Sequence, residues 1–122
     1  MSILKKQDEI RERFKQVVRE NNLDGILLAD TEGLPLVSYL DEDVDEETIA
    51  ASSAAILSAG LITAGDAKKR GLNEIIIDTE DGYLVFVPIK GEFVLGIITP
   101  KETKLGILRL IAKEVEDFLE KV

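Results

Sequence analysis

The apolar positions of this chain alternate between two periods. Over residues 3–21, Ile3, Ile10, Phe14, Val17 and Val18 recur at helical spacing, with Glu, Arg and Lys between them. That stripe predicts an amphipathic helix, ended by Asn21-Asn22. Gly25-Ile26-Leu27-Leu28-Ala29 is then a continuous apolar run too short for a helix, so it predicts a strand covered on both faces. Asp30-Thr31-Glu32-Gly33 predicts a hairpin turn, with Gly33 available for positive φ. Leu34 to Leu40 follows as a second strand. Pro35 has no N–H to give a neighbour, which places that strand at an edge.

Residues 49–65, IAASSAAILSAGLITAG, contain no charge. Alanine is the best helix former, so the stretch predicts a helix. Asp45 is placed as its N-cap, and Glu46 and Glu47 suit the positive end. Lys68, Lys69 and Arg70 suit the negative end, with Gly71 as the residue that turns the chain away. Wound at 100° per residue, Ile49, Ala50, Ser53, Ile56, Leu57, Gly60, Leu61 and Ala64 share one sector, which should pack on the rest of the domain. The opposite sector holds Ala51, Ala55, Ser58, Ala59 and Ile62, where a surface helix would carry Lys, Glu or Arg. A helix apolar all round is covered on both sides. In so short a chain a second molecule is the expected outer cover. A membrane span is not expected, because the run falls short of roughly 20 apolar residues and holds Gly60, Gly65 and four Ser or Thr.

Beyond it, Asn73 to Thr79 predicts a third strand, with Ile75 and Ile77 inward and Ile76 on the outer face with Glu74 and Asp78. Turns at Glu80-Asp81-Gly82 and Lys90-Gly91 separate a fourth strand, Tyr83 to Ile89, from a fifth, Glu92 to Thr99. The fifth is apolar through Phe93–Ile98 and so central. Thr99-Pro100-Lys101-Glu102 has the form of a capping box with proline at the first helical position. It predicts a last helix to about Lys121, with Leu105, Leu108, Ile111, Ala112, Val115, Phe118 and Leu119 on one face. The order is αββαβββα. With hairpins joining sequential strands and the two all-apolar strands side by side, the sheet order is 2-1-5-4-3. This is an α/β (α+β) three-layer sandwich on a five-stranded antiparallel sheet, one domain over 1–122.

Composition narrows the function. The 122 residues carry net charge −9 and neither histidine nor cysteine. Residues 1–22 carry +2, residues 23–48 carry −9 with no basic group, and residues 49–122 carry −2. An acidic chain lacks the basic footprint of nucleic-acid binding and is repelled by an anionic membrane, so neither partner is expected. Absence of His and Cys removes the usual general base, thiolate and metal ligands. No P-loop pattern occurs. Asp41 to Glu47 lacks the spacing of a calcium loop, and the carboxylates there read as helix-start charges. Ser52, Ser53 and Ser58 have no base partner and read as small packing residues. No catalytic residue, metal or cofactor is expected. The start of the chain lacks a basic-then-apolar leader, so the expected location is cytoplasmic.

These residues carry a resemblance. Gly25-Ile26-Leu27-Leu28-Ala29-Asp30-Thr31-Glu32-Gly33-Leu34-Pro35-Leu36-Val37-Ser38 resembles the first hairpin of the Roadblock, or dynein light-chain, family. The Ala/Ser-rich helix resembles that family's second helix. Leu84–Ile89, Val94–Thr99 and Leu105–Arg109 resemble its last hairpin and helix. The resemblance implies a fold related to profilin-like and longin-like domains, and a homodimer or paired heterodimer. In it the second helices pack antiparallel and the third strands join two sheets into one. It further implies a regulator of small Ras-like GTPases, acting by repositioning the GTPase's own groups, or a scaffold subunit. On this reading the dimer interface comprises Ala51, Ala55, Ser58, Ala59 and Ile62 with Ile75, Ile76 and Ile77. A partner would meet Glu46, Glu47, Ser52, Asp66 and Lys69 beside that stripe. The competing expectation is a small-molecule sensor domain, or a scaffold with no GTPase partner; a sensor would need a cavity between sheet and helices, where the large apolar side chains leave little room.

Overall fold

The computed structural model describes residues 2–122. Its elements are α1 (Ser2–Lys5), α2 (Gln7–Asn21), β1 (Gly25–Asp30), β2 (Pro35–Leu40), α3 (Glu46–Asp66), β3 (Ile75–Asp78), β4 (Gly82–Ile89), β5 (Phe93–Pro100) and α4 (Leu105–Lys121). The five strands form one antiparallel sheet in the order β2-β1-β5-β4-β3, as the pattern predicts. Period-two alternation divides their side chains between two cores. Ile26, Leu28, Val85, Val87, Leu95 and Ile97 meet Ile10, Phe14, Leu108, Val115 and Leu119 of α2 and α4. Leu27, Ala29, Phe86 and Val94 meet Ala50 and Leu57 of α3 on the other face. Helices therefore cover both faces, and the domain is a three-layer sandwich.

Close approach of α3 to the sheet has a visible cause. Gly96 leaves space over β5 that Ser53 and the Phe86 ring occupy: a Cβ on Gly96 would lie 3.4 Å from the ring and 3.8 Å from Ser53 Oγ. Ser53 is fully buried, yet its hydroxyl donates to the Ile49 carbonyl at 2.6 Å, so no polar group is stranded.

Several boundaries differ from expectation. The first helix is two helices, interrupted at Lys6, whose N–H bonds to the Ile3 carbonyl three residues back. No glycine or proline marks that break. Thr99-Pro100-Lys101-Glu102 is no capping box: Thr99 and Pro100 extend β5, where Thr99 pairs with Tyr83 and Pro100 with Gly82. The ladder wins because Thr99 is buried, and α4 waits for its first apolar residue, Leu105. Asp45 holds the N-cap position of α3, but its carboxylate accepts from the Thr48 hydroxyl instead of a backbone N–H. The left-handed residue that closes α3 is Lys68, at φ 63°; Gly71 is left-handed too, at φ 72°, but lies three residues further on. Lys68 N–H bonds to Gly65 O and Lys69 N–H to Ala64 O, the bond pair that closes a helix through a left-handed residue. A bulge at Leu28/Ala29 sets Ala29 opposite Pro35.

Candidate functional site

The outer face of α3 is bare. Ala51, Ser52, Ala55, Ser58, Ala59 and Ile62 are all exposed, Ile62 at 63%. The helix is continuous for 21 residues, about 30 Å, because nothing in it breaks the run of good helix formers. By length and composition it is able to cross a bilayer, a property the shorter uncharged run does not suggest. Ala50, Ser53, Ala54 and Leu57 are instead seated on the sheet. Leu61 departs from the predicted packed sector: it is 51% exposed. All four buried residues lie in the first 12 positions of the helix, and beyond them a Cβ on Gly60 would meet the side chains of Ile75 and the half-buried Leu72. Leu61 thus joins Ile62 on the open face, a placement that periodicity by itself misassigns.

Beside this helix runs an open strand edge. The β3 strand pairs with β4 alone, so its other edge has no neighbour among the described residues. The opposite sheet edge is guarded. There Pro35 lacks an N–H, the bulge interrupts the ladder, and the Gln7 side chain donates to the Leu36 carbonyl at 2.8 Å. No such device covers β3. Instead β3 is pinned at both ends. Arg109 of α4 grips both oxygens of Glu74, at 2.9–3.0 Å, just before the strand. Lys101 pairs with Asp78 at its end, donates to Thr79 O at 2.8 Å, and stands over the Tyr83 ring at 4.5 Å. The Asp78 hydrogen bond raises the Lys101 pKa. Ile75 and Ile77 turn to the core beneath α3, and Ile76 to the core beneath α2 and α4. All three are half-buried, so what β3 offers outward is chiefly its backbone.

Glu46, Glu47, Ser52, Asp66 and Lys69 are exposed, but they do not form one cluster. Glu46 and Glu47 open α3 and Asp66 closes it, so within one chain these groups stand about 30 Å apart. Ser52 turns its hydroxyl back to the Thr48 and Ile49 carbonyls. Depressions on the surface are open grooves; one, near Lys69, Arg70 and Asn73, ends at Arg109. No group of three or more His, Cys, Asp or Glu among the described residues is placed to hold a metal ion. A second exposed apolar pair, Ile107 and Leu110, lies on α4 in the other layer, outside the apolar stripe of that helix. Near it, burial and then the Asp41 and Glu102 carboxylates raise the pKa of Asp24.

A bare helix face and an unguarded strand edge, on a domain filled by its own side chains, define a small α/β/α sandwich with an unpartnered apolar surface. The Roadblock/LC7 domain model matches residues 9–99, and the chain belongs to that family. It is similar to the uncharacterised protein MJ0714 of Methanocaldococcus jannaschii, 28% identical over 99 residues that span 81% of this chain and 83% of the relative. Among solved structures, MglB of Myxococcus xanthus superposes with TM-score 0.86 at 21% identity, covering 93% of this chain and 86% of that one. Profilin of Schizosaccharomyces pombe does so with TM-score 0.64 at 13% identity, covering 91% and 96%. The profilin-like relation of the layers is thereby shown at the level of fold.

Proposed function

We propose that the chain is a non-catalytic, cytoplasmic homodimeric regulator or scaffold that binds a small Ras-like GTPase. The single observation that carries this reading is the uncharged outer face of α3 lying beside the open β3 edge. An exposed apolar helix face of this length in a soluble fold is an association surface. Covering it with a second copy buries Ala55, Ala59 and Ile62 and lets two β3 edges pair. Family membership supports the GTPase as partner, with Glu46, Glu47, Ser52, Asp66 and Lys69 on the rim it would touch. The acidic chain, lacking a P-loop, supplies no nucleotide site of its own. It also gives nucleic acid no basic surface. Insertion of α3 into a bilayer would strip the cover from Leu27, Phe86 and Val94, so the helix acts as a layer of the domain.

The sensor reading is less favoured, because the grooves are open and both core faces are filled. The test is a pull-down from the source cell with the nucleotide state held in the GDP or the GTP form. The expected result is retention of a small P-loop GTPase in one state, reproduced with the purified pair. Absence of any P-loop protein in both states would reject the GTPase reading and leave the scaffold.

A further inference from the structure

A groove of about 570 Å³ runs between the end of α3, the chain that follows it and α4. Lys69, Arg70 and Arg109 line it against a single carboxylate, Glu74, a balance of +2 in a chain whose net charge is −9. The groove beside Asp24 has the opposite sign, with Glu20, Asp24 and Glu102 against Lys104. Glu74 is already taken: Arg109 Nε lies 2.9–3.0 Å from both of its oxygens, and Nη2 lies 2.9 Å from one of them. Among the described residues Arg109 Nη1 has no partner, and the side chain is 60% exposed. Lys69 and Arg70 are exposed, and among the described residues neither is in an ion pair.

Backbone donors join these cations. The β3–β4 ladder stops at the pair of Ile75 with Phe86. Two residues further along that register Asn73 falls opposite Pro88, which has no N–H to give. The stretch before β3 is therefore left out of the sheet. Among the described residues the N–H groups of Arg70, Gly71, Leu72 and Asn73 meet no acceptor. Gly71 is left-handed, at φ 72°, and nothing lies within 4 Å of where its Cβ would stand, so the groove is open there. Cations after a helix also answer its negative end, but that end amounts to only about half a unit charge. Lys69 and Arg70 exceed it, and Arg109 comes from a different element.

We infer that this groove binds a phosphate monoester, held by Lys69, Arg70, the unused edge of Arg109 and the N–H groups from Arg70 to Asn73. A phosphate monoester carries about −1.5 to −2 at pH 7 and three strong acceptor oxygens. That charge answers the balance of the groove, whereas a single carboxylate leaves part of it unmet. Guanidinium groups and backbone N–H groups suit such an anion, because several donors can meet its oxygens at once. No aromatic side chain lines the groove, and Leu72 is its one large apolar wall, so a nucleobase finds nothing to stack on. The ligand is thus the phosphate group itself, carried by a small phosphorylated molecule or by a phosphoserine of another chain. The inference needs neither the GTPase nor the homodimer reading.

The test titrates the isotope-labelled full chain by NMR at neutral pH and low salt. The probes are inorganic phosphate, a glycine-flanked phosphoserine peptide, and the same peptide with glutamate in place of phosphoserine. The backbone signals of Arg70 to Asn73 are expected to shift and saturate, with a Kd for inorganic phosphate of about 1 mM or tighter. The glutamate peptide is expected to bind at least about fivefold more weakly than the phosphopeptide, having less charge and fewer oxygens. Lys69→Ala/Arg70→Ala should weaken phosphate at least about tenfold, with circular dichroism to confirm an unchanged fold. Arg109 is left in place, because its loss would release Glu74 and unpin β3. A phosphopeptide that binds more tightly than inorganic phosphate supports the inference with another chain as the source; equal affinities support it with a small phosphorylated molecule. No saturable shift with phosphate or phosphopeptide up to about 10 mM would overturn it. So would binding that survives the double substitution, or a glutamate peptide that binds as tightly as the phosphopeptide.

Discussion

At the scale of single residues, the conformation of Lys68 shows a local rule broken for position. A left-handed residue after a helix is commonly glycine, because a Cβ there crowds the following carbonyl. Here it is lysine, at φ 63°. Lys68→Gly should stabilise the domain by about 1 kcal/mol, a Tm rise of roughly 4 °C in thermal denaturation. Asp24 sets a second residue-scale expectation. Its raised pKa means the folded state holds the proton more tightly than the unfolded chain. That contribution favours folding below the ordinary carboxylate value, about 4, and is lost as pH rises through the raised one. Asp24→Asn should therefore raise Tm at pH 7 and leave it unchanged near pH 3, with melting curves at both values as the check.

At the scale of elements, the β4–β5 ladder decides where α4 begins. Gly82 opens β4 opposite Pro100, and a Cβ on it would stand 1.9 Å from the Thr99 carbonyl oxygen. No side chain can yield there, because the obstacle is backbone. Gly82→Ala should cost about 3 kcal/mol, read from urea denaturation. Its effect should reach β3 as well, since Thr79 and Gly82 are joined in both directions and Lys101 bridges to Asp78. Alternating Ile75, Ile76 and Ile77 make β3 legible in the sequence, and Gly25–Ala29 and Phe93–Ile98 make the two central strands legible. The bulge opposite Pro35 and the Arg109–Glu74 grip leave no such trace, because each depends on which distant backbone or side chain arrives beside it.

At the scale of the whole molecule, the pinned, unguarded β3 edge and the bare α3 face are both left open for association. Ala55→Glu and Ile62→Glu place a charge on that helix face without touching the domain's own core, since both positions are exposed. Each should yield a folded monomer at micromolar concentration, with an unchanged circular dichroism spectrum and half the mass by light scattering. A parent already monomeric would contradict the homodimer. A partner seated across a two-fold axis overlaps any second copy of itself, so titration should give one GTPase per dimer.

By itself the sequence determined the order of elements, the sheet order, the two-sided cover of β1 and β5, and the uncharged outer face of α3. Those follow from the period of apolar positions and from turn chemistry, which act between residues close in the chain. Tertiary structure alone decided that Leu61 is open, that Thr99 and Pro100 belong to a strand, and that one sheet edge is guarded while the other is bare. Each of these depends on which backbone or side chain from a distant part of the chain stands opposite, and local spacing carries no record of that distance.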